Sequence, residues 1–370
     1  MKFLPYALAI SMANVIHAGV LYGRDEPLRQ CAEPPPSEEF LNFSKELNTS
    51  STLITRQQPG NLNFQVYTHV VYFDQTVKGG YLTEDIIKTG MDVMNRYYSR
   101  SGITFTHVSN DYTQHPAWAR GQDQMGMKAK LRRGNYADLN LYYVAFIPGP
   151  AADGSASAGI CWLPVPRRDG RVSQEELIRD GCMMLAETAH PRYPNDMTTT
   201  HEVGHWLGLL HTFEGNACAE GDTIDDTFPQ QEPTQRCERV QHKFQDGRAA
   251  VRACNNWYPS NMFNIMDYSS CSREFSPGQE QRMQYWAQVR RQIGGPSNPN
   301  PNPNPPRPEN PNPNPPNPEN PNPPPPPPPT DNGVANIWEQ CGGMGWNGPT
   351  ACAQGLVCQK MGEWYSQCRP

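Results

Sequence analysis

Between Thr200 and Thr212 the chain reads His201-Glu202-Val203-Gly204-His205-Trp206-Leu207-Gly208-Leu209-Leu210-His211, and no other stretch restricts the fold as much. Residues four apart share one face of an α-helix, so the imidazoles of His201 and His205 reach a common point. Neutral imidazole is a good zinc ligand. Glu202 directly follows the first histidine, where a carboxylate can take a proton from a metal-bound water. Gly208 comes one turn after His205. Glycine accepts positive φ, so the helix can stop and bend there and bring His211 back as a third donor. Three protein ligands leave one coordination position for water and substrate, which a catalytic zinc site needs.

The cysteine count sets the compartment. Eleven cysteines among 370 residues suggest an oxidising environment. Met1–Ala18 agrees with this: Lys2 opens it, an apolar run follows to Ile16, and Ala18 is a small residue suited to cleavage. It reads as a secretory signal. The run is too short for a membrane span and the chain has no other candidate, so no membrane partner is expected. A net charge of −6 without a basic block argues against nucleic acid. A secreted, extracellular monomer is expected.

Residues 19–60 are polar and proline-rich at Pro34-Pro35-Pro36, and read as a pro-segment or N-terminal extension. Asn42-Phe43-Ser44 and Asn48-Thr49-Ser50 make Asn42 and Asn48 glycosylation acceptors. Cys31 is the odd cysteine if the others pair locally. A thiolate is a strong zinc ligand, so Cys31 can fill the open metal position and hold the protein latent. A disulfide to another segment or an idle thiol are the alternatives.

Residues 61–295 form the next unit. Asn61–Phe73 alternates Leu62, Phe64 and Val66 with polar neighbours and reads as a strand. Thr83–Ser101 has Thr83 as cap, Ile86, Ile87, Met91, Met94 and Tyr98 at helical spacing, and Gly102 as stop. Ile103–Val108 and Asp138–Phe146 read as strands, which gives a mixed sheet with a backing helix. After His211 the chain turns irregular, and Cys218, Cys237, Cys254 and Cys271 would staple a half with little core. Sequence alone allows three pairings of these four. Asp222, Asp225 and Asp226 offer hard oxygen ligands suited to calcium, or else form an acidic solvated turn. Ser276-Pro277-Gly278-Gln279 has the form of a capping box with proline at the first helical position, opening a helix to about Gln292.

Residues 296–332 are almost wholly Pro and Asn and read as a linker. About 35 residues of polyproline-like chain at ~3.1 Å each form a semi-rigid spacer of roughly 100 Å. Residues 333–370 are too few to fold on an apolar core alone, and Cys341, Cys352, Cys358 and Cys368 supply staples.

The histidine string resembles the long zinc signature of the metzincin metallopeptidases. Asn264-Ile265-Met266-Asp267-Tyr268 resembles their methionine turn. His211–Gly215, Gly221–Thr227 and Met266–Ser269 resemble the pappalysin branch, and secreted fungal proteases within it, over roughly Asn61–Gly294. The resemblance implies an α+β metzincin-like catalytic domain with a mixed sheet, an active-site helix and a loop-rich, disulfide-stapled C-terminal half. It implies Zn2+ on His201, His205 and His211, Glu202 as general base, and Met266 packed beneath the metal. Tyr268 would hydrogen-bond the oxyanion, and Cys31 loosely resembles the cysteine switch of related metallopeptidases. Cys218–Cys254 and Cys237–Cys271 would pair by resemblance, leaving Cys161–Cys182 as a third bridge. The resemblance also implies Ca2+ at Gly221–Thr227, with Asp222 and Thr227 as ligands. Gly154–Pro166 would supply an edge strand along the cleft that binds extended peptide. Ser269-Ser270 stands where relatives often carry an acidic residue before the cysteine, so no basic P1′ preference is inferred.

The tail, from Gln340-Cys341-Gly342-Gly343 to Trp364-Tyr365-Ser366-Gln367-Cys368, resembles the fungal cellulose-binding module of family 1 throughout. That implies a small disulfide-rich antiparallel β fold with bridges Cys341–Cys358 and Cys352–Cys368. Trp338, Trp364 and Tyr365 would form its flat aromatic face and Gln367 would help bind the glucan. Gly362 replaces the asparagine usual at its place. The combined reading is a secreted zinc endopeptidase acting on proteins or peptides and anchored to cellulose or a related crystalline polysaccharide. The alternative is a carbohydrate-binding surface protein without activity, against which the intact Glu202 argues. No pair of carboxylates in a recognisable context supports a glycoside hydrolase.

Overall fold

The computed structural model describes residues 31, 33–49, 61–149, 156–166, 171–189, 197–216, 221–234, 240, 242–295, 334–335, 340–342, 348–360 and 366–369. The expected signal at 1–18, the linker, Cys218, Cys237, Trp338, Trp364 and Tyr365 lie outside them, as do the side chains of Asn48 and Gln367. Among the described residues no helix is long and apolar enough to cross a membrane.

Helix α1 (Glu38–Thr49) opens the fold, with Glu38 and Glu39 in its first turn facing the positive end of the helix dipole. Asn42 is exposed on it, whereas Ser44 of the same sequon is fully buried. Strand β1 (Leu62–Tyr72) follows. Tyr67, Thr68, His69, Val70 and Val71 in succession are all buried, so both faces of the strand are covered. Helix α2 (Glu84–Tyr98) buries Ile87, Met91, Met94 and Tyr98 along one stripe. Thr83 stands at its N-cap in extended conformation but its side chain makes no capping bond. Glu84 and Asp85 in the first turn favour that end by charge instead.

Strand β2 (Ile103–Gln114) runs six residues beyond the expected Val108, because pairing with β1 continues to Tyr72 opposite Gln114. β2 is an edge strand, so its distal part needs no apolar alternation. Helix α3 (Gln124–Leu131), β3 (Leu139–Val144), β4 (Gly159–Cys161), α4 (Gln174–Arg179), β5 (Cys182–Leu185) and α5 (Thr198–Trp206) come next. The sheet order is β2-β1-β3-β5-β4. All neighbours are parallel except β4, which pairs antiparallel with β5 at the far edge. The Cys161–Cys182 disulfide fastens that edge to its neighbour.

One sheet face packs Phe64, Val66, Leu141 and Met184 against α2 and against Val203 and Trp206 of α5. The other packs Val71, Tyr142 and Met183 against Met127 and Leu131 of α3. His69 is a core residue here: Nδ1 lies 2.7 Å from Asp111 Oδ2 and Nε2 2.9 Å from Asn140 Oδ1.

The hairpin β6 (Ala250–Ala253) and β7 (Asn256–Pro259) interrupts the irregular half. Helix α6 (Pro277–Gly294) closes the domain, and both bonds of the Ser276/Gln279 capping box form. Its Trp286 is 1 % exposed and stacks on Phe40 of α1 at 5.7 Å, and Arg282 donates to Ser44 O at 3.0 Å. Burying rings of this size contributes on the order of 1.5–3 kcal/mol each. Helix α1, which lies within residues 19–60, is therefore integrated with α6.

In the tail, β9 (Gln340–Gly342), β11 (Val357–Lys360) and β12 (Ser366–Arg369) form an antiparallel sheet. Two short strands, β8 (Val334–Ala335) and β10 (Ala351–Cys352), add a parallel pair. Cys341–Cys358 and Cys352–Cys368 are bonded. Ala335, Cys341 and Cys368 are the buried residues of this unit's apolar cluster, so the bridges substitute for a core.

Candidate functional site

Helix α5 is buried from Thr200 through Trp206, so the histidine side chains are held by packing. His201 Nδ1 lies 2.7 Å from Ile265 O and His205 Nδ1 lies 2.8 Å from Leu209 O. A carbonyl only accepts, so each Nδ1 carries the proton and each Nε2 presents a lone pair. Gly208 takes φ +80°, its N–H donates to His205 O at 2.8 Å, and the chain doubles back. His211 then meets the other two: His205 Nε2 lies 3.2 Å from both His201 Nε2 and His211 Nε2. Ligands at about 2.0–2.1 Å from a tetrahedral ion stand roughly 3.3–3.4 Å apart. Three convergent lone pairs repel one another unless a cation lies between them, so the donor set fits zinc.

Burial keeps the ring nitrogens neutral. It lowers His201 to about 4 and lowers His205 and His211 well below the usual histidine range. Neutral imidazole is the ligating form. Burial, and then the nearby Glu33 carboxylate, raise Glu202 well above the usual carboxylate range. Glu202 is fully buried and lies beside the Cys31 thiol and the Glu33 carboxyl, the three within 4.8 Å of one another. It lies against β4, where a Cβ on Gly159 would stand 2.2 Å from Oε1, so only glycine allows this approach.

The floor is the methionine turn. Met266 is fully buried, its N–H donates to Asn264 Oδ1 at 2.8 Å, and Met266 O accepts from Thr212 N at 3.2 Å. Asp267 Oδ1 accepts from Thr234 N and from Gln230 Nε2, which ties the turn to the following loop. Tyr268 Oη lies 3.1 Å from His211 Nε2 and accepts from Cys31 N at 3.1 Å. Cys31 is a free thiol in the site, grouped with His201 and His211. Burial raises its pKa well above the usual value, with the Glu202 and Glu33 carboxylates adding to the effect.

The acidic turn is divided. Asp222 and Thr227 meet, with the Thr227 hydroxyl donating to Asp222 Oδ1 at 2.7 Å, while Asp222 Oδ2 has no hydrogen-bond partner among the described residues. Burial raises Asp222 to about 7. Asp226 turns away and accepts from Gly278 N at 2.8 Å at the start of α6. Cys254 and Cys271 are disulfide-bonded, and the cysteines expected opposite them lie outside the described residues.

Two groups of residues here were not singled out from the sequence. Glu33 enters the site beside Cys31; the signal was its place two residues on, since alternate side chains of an extended segment share a side. Asp180 and Arg290 pin the end of α5: Arg290 Nε donates to Trp206 O at 2.9 Å, Asp180 accepts from Trp206 Nε1 at 3.2 Å, and the two pair at 2.9 Å. Nothing in their spacing marks such a pair.

Three histidines around one point beside a buried carboxylate and above a methionine turn define a metallopeptidase site of the metzincin kind. The peptidase family M43 profile, described as pregnancy-associated plasma protein-A, matches residues 132–288, and a fungal cellulose-binding domain profile matches 337–365. An extracellular metalloprotease of Colletotrichum graminicola is 36% identical over 75% of this chain and 95% of its own length. One from Podospora anserina is 33% identical over 77% of this chain and 98% of its own. Tannerella forsythia promirolysin superposes with a TM-score of 0.48 at 18% identity over 69% of this chain and 92% of that chain. The chain belongs to the M43, or pappalysin, family of extracellular metallopeptidases and carries a fungal cellulose-binding domain.

Proposed function

We propose that this metallopeptidase is a secreted zinc endopeptidase that cleaves protein or peptide chains while docked on cellulose. The observation that supports it most is the convergence of three Nε2 atoms beside Glu202, that of His205 lying 3.2 Å from each of the other two. His201, His205 and His211 would hold the zinc, which supplies a Lewis acid that polarises the scissile carbonyl and lowers the pKa of a water towards ~7. Glu202 takes the proton of the attacking water and returns it to the leaving amine. Tyr268 donates its hydroxyl to the oxyanion once Cys31 N–H has released it. The outer edge of β4 receives the substrate as an added strand. Removing the metal from processed enzyme with a chelator is expected to abolish cleavage of a soluble peptide. One equivalent of zinc restores it; restoration by calcium alone would overturn the assignment. Calcium at Asp222 and Thr227 is proposed as a structural ion, consistent with the open Asp222 Oδ2.

Cys31 is proposed as the latency thiol. Unprocessed Cys31→Ser protein is expected to cleave peptide faster than unprocessed wild type under identical conditions. Equal silence of the two would count against the thiol.

Cellulose binding is assigned to residues 333–370, where Trp338, Trp364 and Tyr365 stack on the C–H faces of glucose rings, with Gln367 beside them. A chain ending at Gly294 is expected to stay in the supernatant with microcrystalline cellulose while cleaving soluble peptide at the full-length rate. Sedimentation equal to that of full-length protein would place the binding elsewhere.

A further inference from the structure

The cysteine strap brings more than a thiol to the histidine site. Cys31 Sγ groups with His201 and His211, whereas a Glu33 carboxylate oxygen groups with His205 and His211, each set lying within 4.8 Å. The two donors therefore address different edges of the histidine triangle. Glu33 Oε1 is 3.9 Å from His205 Nε2, and Oε2 is 3.9 Å from His211 Nε2. The Glu33 side chain is 8 % exposed, and its carboxyl also lies beside the Cys31 thiol and the Glu202 carboxyl, the three within 4.8 Å of one another. Two carboxyls buried side by side are costly unless a proton or a cation lies between them, and this one also faces the histidine triangle. Its other oxygen accepts from Cys161 N on β4 at 3.1 Å. Such an outer contact fixes the direction in which a ligating carboxylate points.

We propose that Glu33 is a second metal ligand of the latent enzyme, so that the strap closes the centre at two points, Cys31 and Glu33. The proposal rests on the reading that His201, His205 and His211 hold zinc. Zinc accepts carboxylate oxygen and expands from four to five ligands, so both donors can be seated together. The anchor at Cys161 lies on the fastened edge strand, so the carboxylate is held whether or not the thiol is present. Loss of the thiol alone then leaves the centre partly covered.

The test uses the full-length unprocessed chain as wild type, Glu33→Gln, Cys31→Ser and the double variant, with circular dichroism to check folding. Zinc affinity is measured by competition with a chromogenic chelator. Cobalt(II) in place of zinc reports ligand number through the intensity of its visible absorption, which is weaker at five ligands than at four. Glu33→Gln is expected to weaken zinc binding by about ten- to a hundredfold and to intensify the cobalt bands. Cys31→Ser is expected to lose the sulfur-to-cobalt charge-transfer band, and the double variant to cleave peptide faster than Cys31→Ser. Unchanged affinity and spectrum in Glu33→Gln would overturn the role of Glu33 and leave the zinc site standing. Failure of wild type to bind one zinc per chain would overturn the underlying site.

Discussion

Glu202→Gln is expected to reduce peptide cleavage below about a hundredth of wild type while zinc stays near one per chain, since general-base catalysis contributes ~10²–10⁴-fold. The substitution keeps the side chain's size and touches none of the three histidines. It removes only the proton acceptor. Peptide turnover and metal analysis on the same preparation make the test. Activity above that hundredth would remove Glu202 from the mechanism, and loss of zinc would make it a structural residue instead.

Gly208→Ala should unseat His211. Gly208 holds φ +80°, which costs an L-residue on the order of 1–2 kcal/mol. The new Cβ would also stand 2.0 Å from Trp286 Cδ1. Trp286 cannot retreat, because Phe40 stacks on it at 5.7 Å. Overpacking adds roughly 1–3 kcal/mol, for a total of about 2–5 kcal/mol. At about 2–4 °C per kcal/mol for a domain of this size, the melting temperature should fall by roughly 4–20 °C. Zinc content should fall with it, since the turn places the third histidine. Full zinc occupancy and an unshifted melting temperature would show that the turn adapts.

Local repeats of the chain were legible in the sequence because their geometry is local. The four-residue spacing of His201 and His205 and the glycine before His211 describe their own arrangement, whatever surrounds them. The stripe of Ile87, Met91, Met94 and Tyr98 and the box at Ser276 and Gln279 are of the same kind. Features that join distant segments were not legible. Asp180 and Arg290 meet at 2.9 Å although they stand 110 positions apart, and a lone arginine in a polar helix carries no mark of its partner. His69 pairs with Asp111 only because β1 and β2 align in parallel. Residues 38–49 read as part of a polar extension because Phe40, Phe43 and Leu47 are too few to announce a core until α6 is placed beneath them. Cys31 stood out through arithmetic, and Glu33 stayed hidden because an exposed-looking acidic residue is the commonest thing in such a stretch.

The docking of α1 on α6 has a kinetic meaning for the proposed latency. Phe40 and Ser44 fasten the helix to Trp286 and Arg282, and the chain from Glu33 reaches it through Pro34, Pro35 and Pro36. The segment proposed to block the site is thus tied a few residues from the cleft, so its seating is intramolecular. Seating is then a first-order event, indifferent to how far the protein is diluted. Scission upstream of Cys31 would leave that tether intact and change little. Scission between Glu33 and α1 would turn the segment into a free peptide, whose rebinding falls with its concentration, while the helix that carried it stays in place.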